Sequence, residues 1–312
     1  MPMLVVNSDP ERLWGKTPRI PREELTEMYF TTEALEDGSI GFNIPAEVGT
    51  SLVTSVSYST DEGETWTTAD NVKSTEINIL VDNVKKGDKI LWKGSANNFA
   101  ITGLTGKYCK FISSGNIDIY GNTMSLLYGD DFTDSVSFPA SKTYIFKGIF
   151  TGLKIVNAWD LILPATTLAN NCYYGMFSNC TSLITAPELP ATTLAQQCYE
   201  NMFSGCSSLT EAPELPATTL AQQCYSRMFY NCTSLTTAPE LPATTLTNSC
   251  YQYMFYGCTS LNYIKILALS ISGETTNWIG DVSPTGTFVK VAGVEYPAGT
   301  SGIPSGWTVE EV

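Results

Sequence analysis

Eight of the nine cysteines in this chain fall into two columns, Cys172, Cys198, Cys224 and Cys250, then Cys180, Cys206, Cys232 and Cys258. Thiols repeated in this way could serve a disulfide framework, a thiolate metal ladder or a set of nucleophiles. The surroundings argue against all three. No histidine occurs anywhere, which removes the commonest general base and metal ligand and the usual partner of a Ser or Cys nucleophile. No Cys-x-x-Cys pair occurs either. Cysteines within one unit sit eight residues apart, which on a helix is about 12 Å of rise and too far for a disulfide. They are expected to be small buried hydrophobes. The carboxylates offer little more, since Asp130 and Asp131 are adjacent and would point to opposite faces of a strand, whereas glycan cleavage needs two acids facing across a cleft. No catalytic residue, cofactor or metal site is expected.

Positioning those residues is the work of a period. Leu-Pro-Ala-Thr-Thr-Leu begins at Leu163, Leu189, Leu215 and Leu241, a strict repeat of 26 residues. Fixed periods of this size mean stacked units, none able to bury its apolar face alone. Within one copy, Leu220, Cys224, Met228 and Cys232 recur every fourth residue beside Tyr225 and Phe229, predicting an apolar helical stripe. Thr219 and Gln222 sit as a capping box. The helix is expected to end at Asn231, where the other copies have Asn179, Gly205 and Gly257, residues that tolerate a left-handed conformation. The segment from Leu235 to Leu241 then reads as a short extended piece limited by Pro239.

The run Met-Phe-x-(Asn/Gly)-Cys-(Thr/Ser)-Ser-Leu resembles the BspA-like, Treponema-type leucine-rich repeat, whose hallmark is Ala-Phe-x-x-Cys-x-Ser-Leu. The chain departs from it in having Met for Ala and a longer unit. The resemblance covers residues 138–270, with a degenerate first unit from Phe138 through Phe150 that lacks both cysteines and a C-terminal cap at 271–312 around Trp278, Phe288 and Trp307. It implies an α/β leucine-rich-repeat solenoid with terminal caps, used for adhesion to host proteins, cells or glycans.

The chain before the repeats has a different pattern. Residues 1–26 read as an arm broken by Pro10, Pro18 and Pro21, with Trp14 among Arg12, Lys16, Arg19 and Arg22 as a candidate anchor. Residues 27–95 alternate with period two at Ile40, Phe42 and Ile44, at Ile77, Ile79 and Val81, and at Ile90 and Trp92. This predicts an all-β sandwich of the immunoglobulin or fibronectin kind, making the chain multi-domain. Ser59 to Trp66 resembles the Asp-box, Ser-x-Asp-x-Gly-x-Thr-Trp, implying a hairpin closed by Asp61. Residues 96–137, including Met124 to Tyr128, read as further strand connecting to the repeats.

Recognition belongs where the copies disagree. On the extended face these positions are Thr185, Glu211 and Thr237, beside an acidic column of Glu188, Glu214 and Glu240; on the other face they include Tyr230, Tyr253 and Tyr256. Only six formal charges lie between Leu163 and Leu261, against a net charge of −14 for the whole chain. Without a basic run, nucleic acid and anionic membranes are excluded as partners. Met-Pro-Met-Leu-Val-Val-Asn lacks a basic leader, and no apolar run would span a membrane.

The function expected is a non-catalytic binding or adhesion protein that meets a host-surface protein or carbohydrate. Its expected setting is a phage tail or head fibre at the virion surface, with the arm holding other virion proteins and an oligomer allowed. A bacterial BspA-like adhesin with its leader removed, at the cell surface or secreted, is the alternative. A glycan-active enzyme is the third.

Overall fold

The structure, a computed structural model, describes residues 20–45, 53–70, 77–96, 99, 108–138 and 142–312. Most of the arm, with Trp14, lies outside the described residues. After a short helix α1 (Arg22–Glu27) come β1 (Phe30–Ala34), β2 (Gly38–Ile44), β3 (Val53–Ser59), β4 (Thr67–Asp70), β5 (Ile77–Val84), β6 (Lys89–Ala96), β7 (Lys110–Ser113) and β8 (Ile117–Asn122). They form two sheets. One has the order β4-β3-β6-β1-β8 and continues into β9 (Leu161–Ile162); the other is β5-β2-β7. Pairing is antiparallel except between β8 and β9.

The period-two residues do what their spacing requires. Ile40, Phe42, Ile44, Ile90 and Trp92 are buried, and the sheets meet where Phe111 of β7 lies 5.0 Å from Phe30 of β1 and 5.1 Å from Trp92 of β6. The Trp92 indole N–H donates to Thr32 Oγ1 at 3.0 Å, so its polar edge is satisfied inside the core.

The segment Met124–Tyr128 is not strand. Ser125–Tyr128 is a single helical turn, α2. Ser125 Oγ donates to Trp92 O at 2.9 Å and accepts from Phe30 N at 3.0 Å. That exchange ties the turn across the sheet and overrides a weak strand propensity.

The repeats contain no helix at the four-residue stripe. The helix reading fails because every fourth residue is left-handed: Asn171, Gly175 and Asn179 have φ of 57°, 58° and 60°, and the next copy repeats this at Gln197, Asn201 and Gly205. An α-helix needs negative φ throughout. Amide donors instead alternate in direction. Cys198, Glu200, Met202 and Ser204 donate to the carbonyl three residues back, while Tyr199, Asn201, Phe203 and Gly205 donate to Cys224, Ser226, Met228 and Tyr230 of the next copy. Each unit is thus a run of tight turns hydrogen-bonded edge to edge with its neighbour. Thr219 is no helix cap either; it bridges Thr193 in parallel. Left-handed Asn and Gly were legible at Asn231 and its equivalents, but as turn residues.

Inside the stack, the four-residue spacing still aligns the apolar side chains. Phe177, Phe203, Phe229 and Phe255 stack at 5.4, 5.7 and 5.6 Å, and Tyr173, Tyr199, Tyr225 and Tyr251 at 5.7, 5.8 and 6.1 Å. Such ring pairs are each worth roughly 0.5–1.5 kcal/mol beyond area burial. In the degenerate first unit, Phe146 and Phe150 begin both columns, stacking on Tyr173 at 6.0 Å and on Phe177 at 5.3 Å. At the far end Trp278 covers both, 6.4 Å from Tyr251 and 6.2 Å from Phe255. A parallel sheet of β10 (Tyr263–Lys265), β11 (Thr287–Lys290) and β12 (Thr308–Glu311) follows. One buried core runs from Phe30 to Trp307, and no sheet closes into a barrel among the described residues. All nine cysteines are free and buried.

Candidate functional site

On the extended face, the short segments of adjacent copies touch through isolated parallel bridges, Asn157 to Thr185 and Thr185 to Glu211. The Pro-Glu-Leu-Pro pattern keeps these segments from widening into a regular sheet, because proline has no amide to donate. A groove of about 500 Å³ results, lined by Trp159, Thr185, Pro187, Glu188, Pro213 and Glu214 together with Glu211 and neighbouring apolar residues. Four of the candidate residues, Thr185, Glu188, Glu211 and Glu214, therefore meet in one place. Thr185 is a framework residue there: it is buried, and its hydroxyl donates to Asn157 Oδ1 at 3.2 Å. Glu188, Glu211 and Glu214 are exposed.

Thr237 and Glu240 are not part of the groove. Thr237 bridges Tyr263, and Glu240 accepts from Lys265 Nζ at 2.8 Å. Glu188, at the other end of the acidic column, pairs with Arg22 at the start of α1. Glu211 and Glu214 have no cationic partner among the described residues.

The tyrosines lie on the turn face, away from the groove. Tyr230 and Tyr256 stack at 5.4 Å, and Tyr253 meets Tyr256 edge-on at 5.9 Å. The Arg227 guanidinium sits 5.1 Å over the Tyr253 ring. A hydrogen bond to Asp281 pushes the Tyr256 hydroxyl pKa above its usual value. Gly280 makes room for this ridge, since a Cβ there would stand 2.6 Å from the Tyr256 ring. Beneath Arg227 lies Glu200, buried and raised in pKa by that burial, with Gln197 Nε2 donating to it at 2.7 Å.

Two carboxylates outside the repeats, Asp61 and Asp130, are held in the ionised form. Asp61 accepts from Thr65 N at 2.9 Å and from Ser59 Oγ at 2.7 Å, and the Thr65 and Ser59 hydroxyls hold its carboxyl down to about 2. A general acid needs the opposite shift. Asp130 is held low by Lys93, at 2.7 Å, and by the Tyr29 hydroxyl. Among the described residues, no group of three or more His, Cys, Asp or Glu could hold a metal. None of their helices is long and apolar enough to cross a membrane.

With this geometry in view, the comparison with family models is specific. Residues 125–213 and 176–275 match the BspA type leucine-rich repeat region, in six copies. The match spans just under half of the chain, and over that stretch the repeats are similar to the BspA type. The match begins at α2 and does not extend to the sheets before it or to the turn at Asp61. BspA-type repeats suggest a surface-adhesion or protein-binding role. Comparison with curated proteins and with solved structures finds no match.

Several residues at these surfaces carried no sequence signal. Trp159 precedes the first complete copy, so comparing copies does not expose it. Pro187 and Pro213 are invariant between copies and read as scaffold, yet they form groove walls. Arg22 belongs to a segment far away in sequence, and only the fold brings it to Glu188.

Proposed function

We propose that this chain is a non-catalytic adhesion protein whose BspA-type repeats extend as a solenoid and present the Trp159–Glu214 groove to a protein on another cell surface. The observation that carries the proposal is convergence: Thr185 and Glu211, at positions where the copies differ, meet Glu188 and Glu214 of the acidic column in one groove walled by proline and tryptophan. Aromatic and proline walls offer rigid apolar contact at low entropic cost, and the acids set charge preference. The two facing sheets before the repeats are read as an immunoglobulin- or fibronectin-like sandwich, with an Asp-box hairpin at Ser59–Trp66, serving as a spacer.

The test is binding of labelled protein to intact bacterial and epithelial cells and to arrays of immobilised proteins and glycans, beside the charge-reversed E211K/E214K variant. Saturable binding that the variant loses supports the proposal. Equal binding by both proteins, or none to any surface, would sink it.

A further inference from the structure

The sheet that joins β3, β6 and β1 carries a cleft of about 420 Å³ that shares no residue with the groove of the repeats. Trp92 of β6 points inward to Phe111, so Lys93 and Ser95, one and three residues on, point outward. Ser57 and Ser55 of β3 stand opposite them. The remaining wall is the α2 turn. Gly94 lets that turn come close, since a Cβ there would stand 2.8 Å from Leu126 O. Gly129, at φ 60°, then turns the chain back so that Asp130 meets Lys93 Nζ at 2.7 Å. Tyr128 is bridged to Ser95, and its hydroxyl donates to Ser137 O at 3.0 Å, which fixes the ring at the cleft. Lys93 is itself held in place. Its ammonium lies 4.0 Å over the Trp66 ring, at the end of the hairpin between β3 and β4, and the Tyr29 hydroxyl donates to the same Asp130 carboxylate. Burial and that bond push the Tyr29 hydroxyl up to about 12, so it remains a donor.

The chemistry of the cleft selects its occupant. Lys93 and Asp130 neutralise each other, so neither a free anion nor a free cation gains net attraction there. β6 is paired on both sides, with β3 and with β1, so no strand edge is open for an extended peptide. What the cleft offers is serine hydroxyls and a fixed donor–acceptor pair beside an aromatic ring. A sugar hydroxyl both donates and accepts, so neighbouring hydroxyls of one sugar ring can accept from Lys93 and donate to Asp130, in bonds that charge strengthens. The apolar side of the same sugar ring can pack on Tyr128. We propose that this cleft binds a neutral mono- or disaccharide, with Lys93 and Asp130 holding adjacent hydroxyls and Tyr128 beside the sugar ring. Its volume lies at the lower end of small-ligand sites, which suits a ligand of that size. The sheets before the repeats are then a second recognition element as well as a spacer. This site does not depend on the groove being the adhesion surface.

The experiment titrates the full chain with free sugars and follows binding by ligand-observed NMR. The probes are glucose, galactose, mannose, N-acetylglucosamine, N-acetylgalactosamine and the disaccharides lactose and cellobiose, with glucuronic acid and glucosamine as charged controls. The expected result is a neutral sugar that binds with a Kd on the order of 1 mM or tighter. Asp130→Asn removes the charged acceptor at an exposed position and should weaken that sugar by about tenfold or more. Ser95→Phe fills the cleft from an exposed strand position and should abolish binding. Thermal midpoints of both variants, measured alongside, show that the fold is kept. E211K/E214K should bind the sugar within about twofold of the unchanged chain. A panel on which no neutral sugar binds overturns the proposal, as does binding confined to the charged sugars. Retention of full affinity in either Asp130→Asn or Ser95→Phe overturns it too. Loss in E211K/E214K would move the sugar to the groove and overturn it as well. Binding of this affinity is removed by washing, so the groove's cell-surface assay is read separately and either result can fail without the other.

Discussion

The Cys206 thiol donates to the carbonyl of Phe177 at 3.1 Å, joining residues of adjacent repeats. The same contact recurs from Cys180 to Phe150, Cys232 to Phe203 and Cys258 to Phe229, at 3.0 to 3.1 Å. Each thiol fills a site with no exposure and gives a weak hydrogen bond to a carbonyl of the preceding unit. Cys206→Ala should therefore lower stability by about 1–2 kcal/mol, combining a small cavity with the lost contact. Urea unfolding measures it. A loss no larger than that of exposed Thr233→Ala would show that the column is not a structural seam.

Alkaline pH should attack both cysteine columns. Burial pushes the Cys172, Cys180 and Cys258 thiols from 9.0 up to about 12. A folded-state pKa above the unfolded value gives stability that is complete below pH 9 and is lost as pH rises toward 12, because only the unfolded chain releases those protons. Each such thiol costs about 1.4 kcal/mol per pH unit in that window. Three together cost about 4 kcal/mol per pH unit there, which becomes comparable to the roughly 5–15 kcal/mol stability of an ordinary domain as pH approaches 12. The urea midpoint should be flat from pH 6 to 8 and fall steeply above 9, less steeply in Cys180→Ala. A midpoint that ignores pH up to 11 would contradict the burial.

Left-handed positions in the turns separate two kinds of substitution. Gly205 has φ 77°, and a Cβ there would lie 2.5 Å from Asn179 Oδ1. Gly205→Ala should cost about 1–3 kcal/mol through backbone strain and that contact. Gln223 holds φ 55° with a full side chain. Gln223→Gly relieves that conformation and should be neutral or stabilising by up to about 1 kcal/mol, despite the usual entropic cost of glycine. Thermal midpoints of the two variants should move in opposite directions. If both fall together, the left-handed turn is not what these positions select.

Much of this was visible in the chain, and what was missed has two causes. The repeat, its inward residues and its buried cysteines follow from spacing and composition. Leu220, Cys224, Met228 and Cys232 are all buried. The element carrying them was misread because tight turns with one left-handed residue in four produce nearly the same apolar period as a helix. The sign of φ at Gln223 or Arg227 distinguishes the two, and neither residue type announces a left-handed position. The groove was half legible. Thr185, Glu211 and the acidic column were identifiable as positions outside the core, but nothing local links Trp159 or Arg22 to them. That link is tertiary.

The two candidate faces can be separated by substitution. Groove and tyrosine ridge lie on different segments of each copy, so changes at one leave the other intact. E211K/E214K alters exposed side chains without cationic partners among the described residues, so the fold should hold within about 0.5 kcal/mol. Surface binding should nonetheless weaken by about tenfold or more, because charge reversal replaces attraction with repulsion at the contact. Tyr230→Ala with Tyr256→Ala removes a stacked pair at 5.4 Å. That should cost about 0.5–1.5 kcal/mol of stability while leaving binding within about twofold. Titrating both double variants against the same cell surface, with thermal midpoints measured in parallel, gives four numbers. The reverse pattern, binding lost with the tyrosines and kept with the reversed acids, would move recognition to the turn face. A half-buried stacked pair of rings flanked by Arg227 and Asp281 would then favour a carbohydrate over a peptide as the partner.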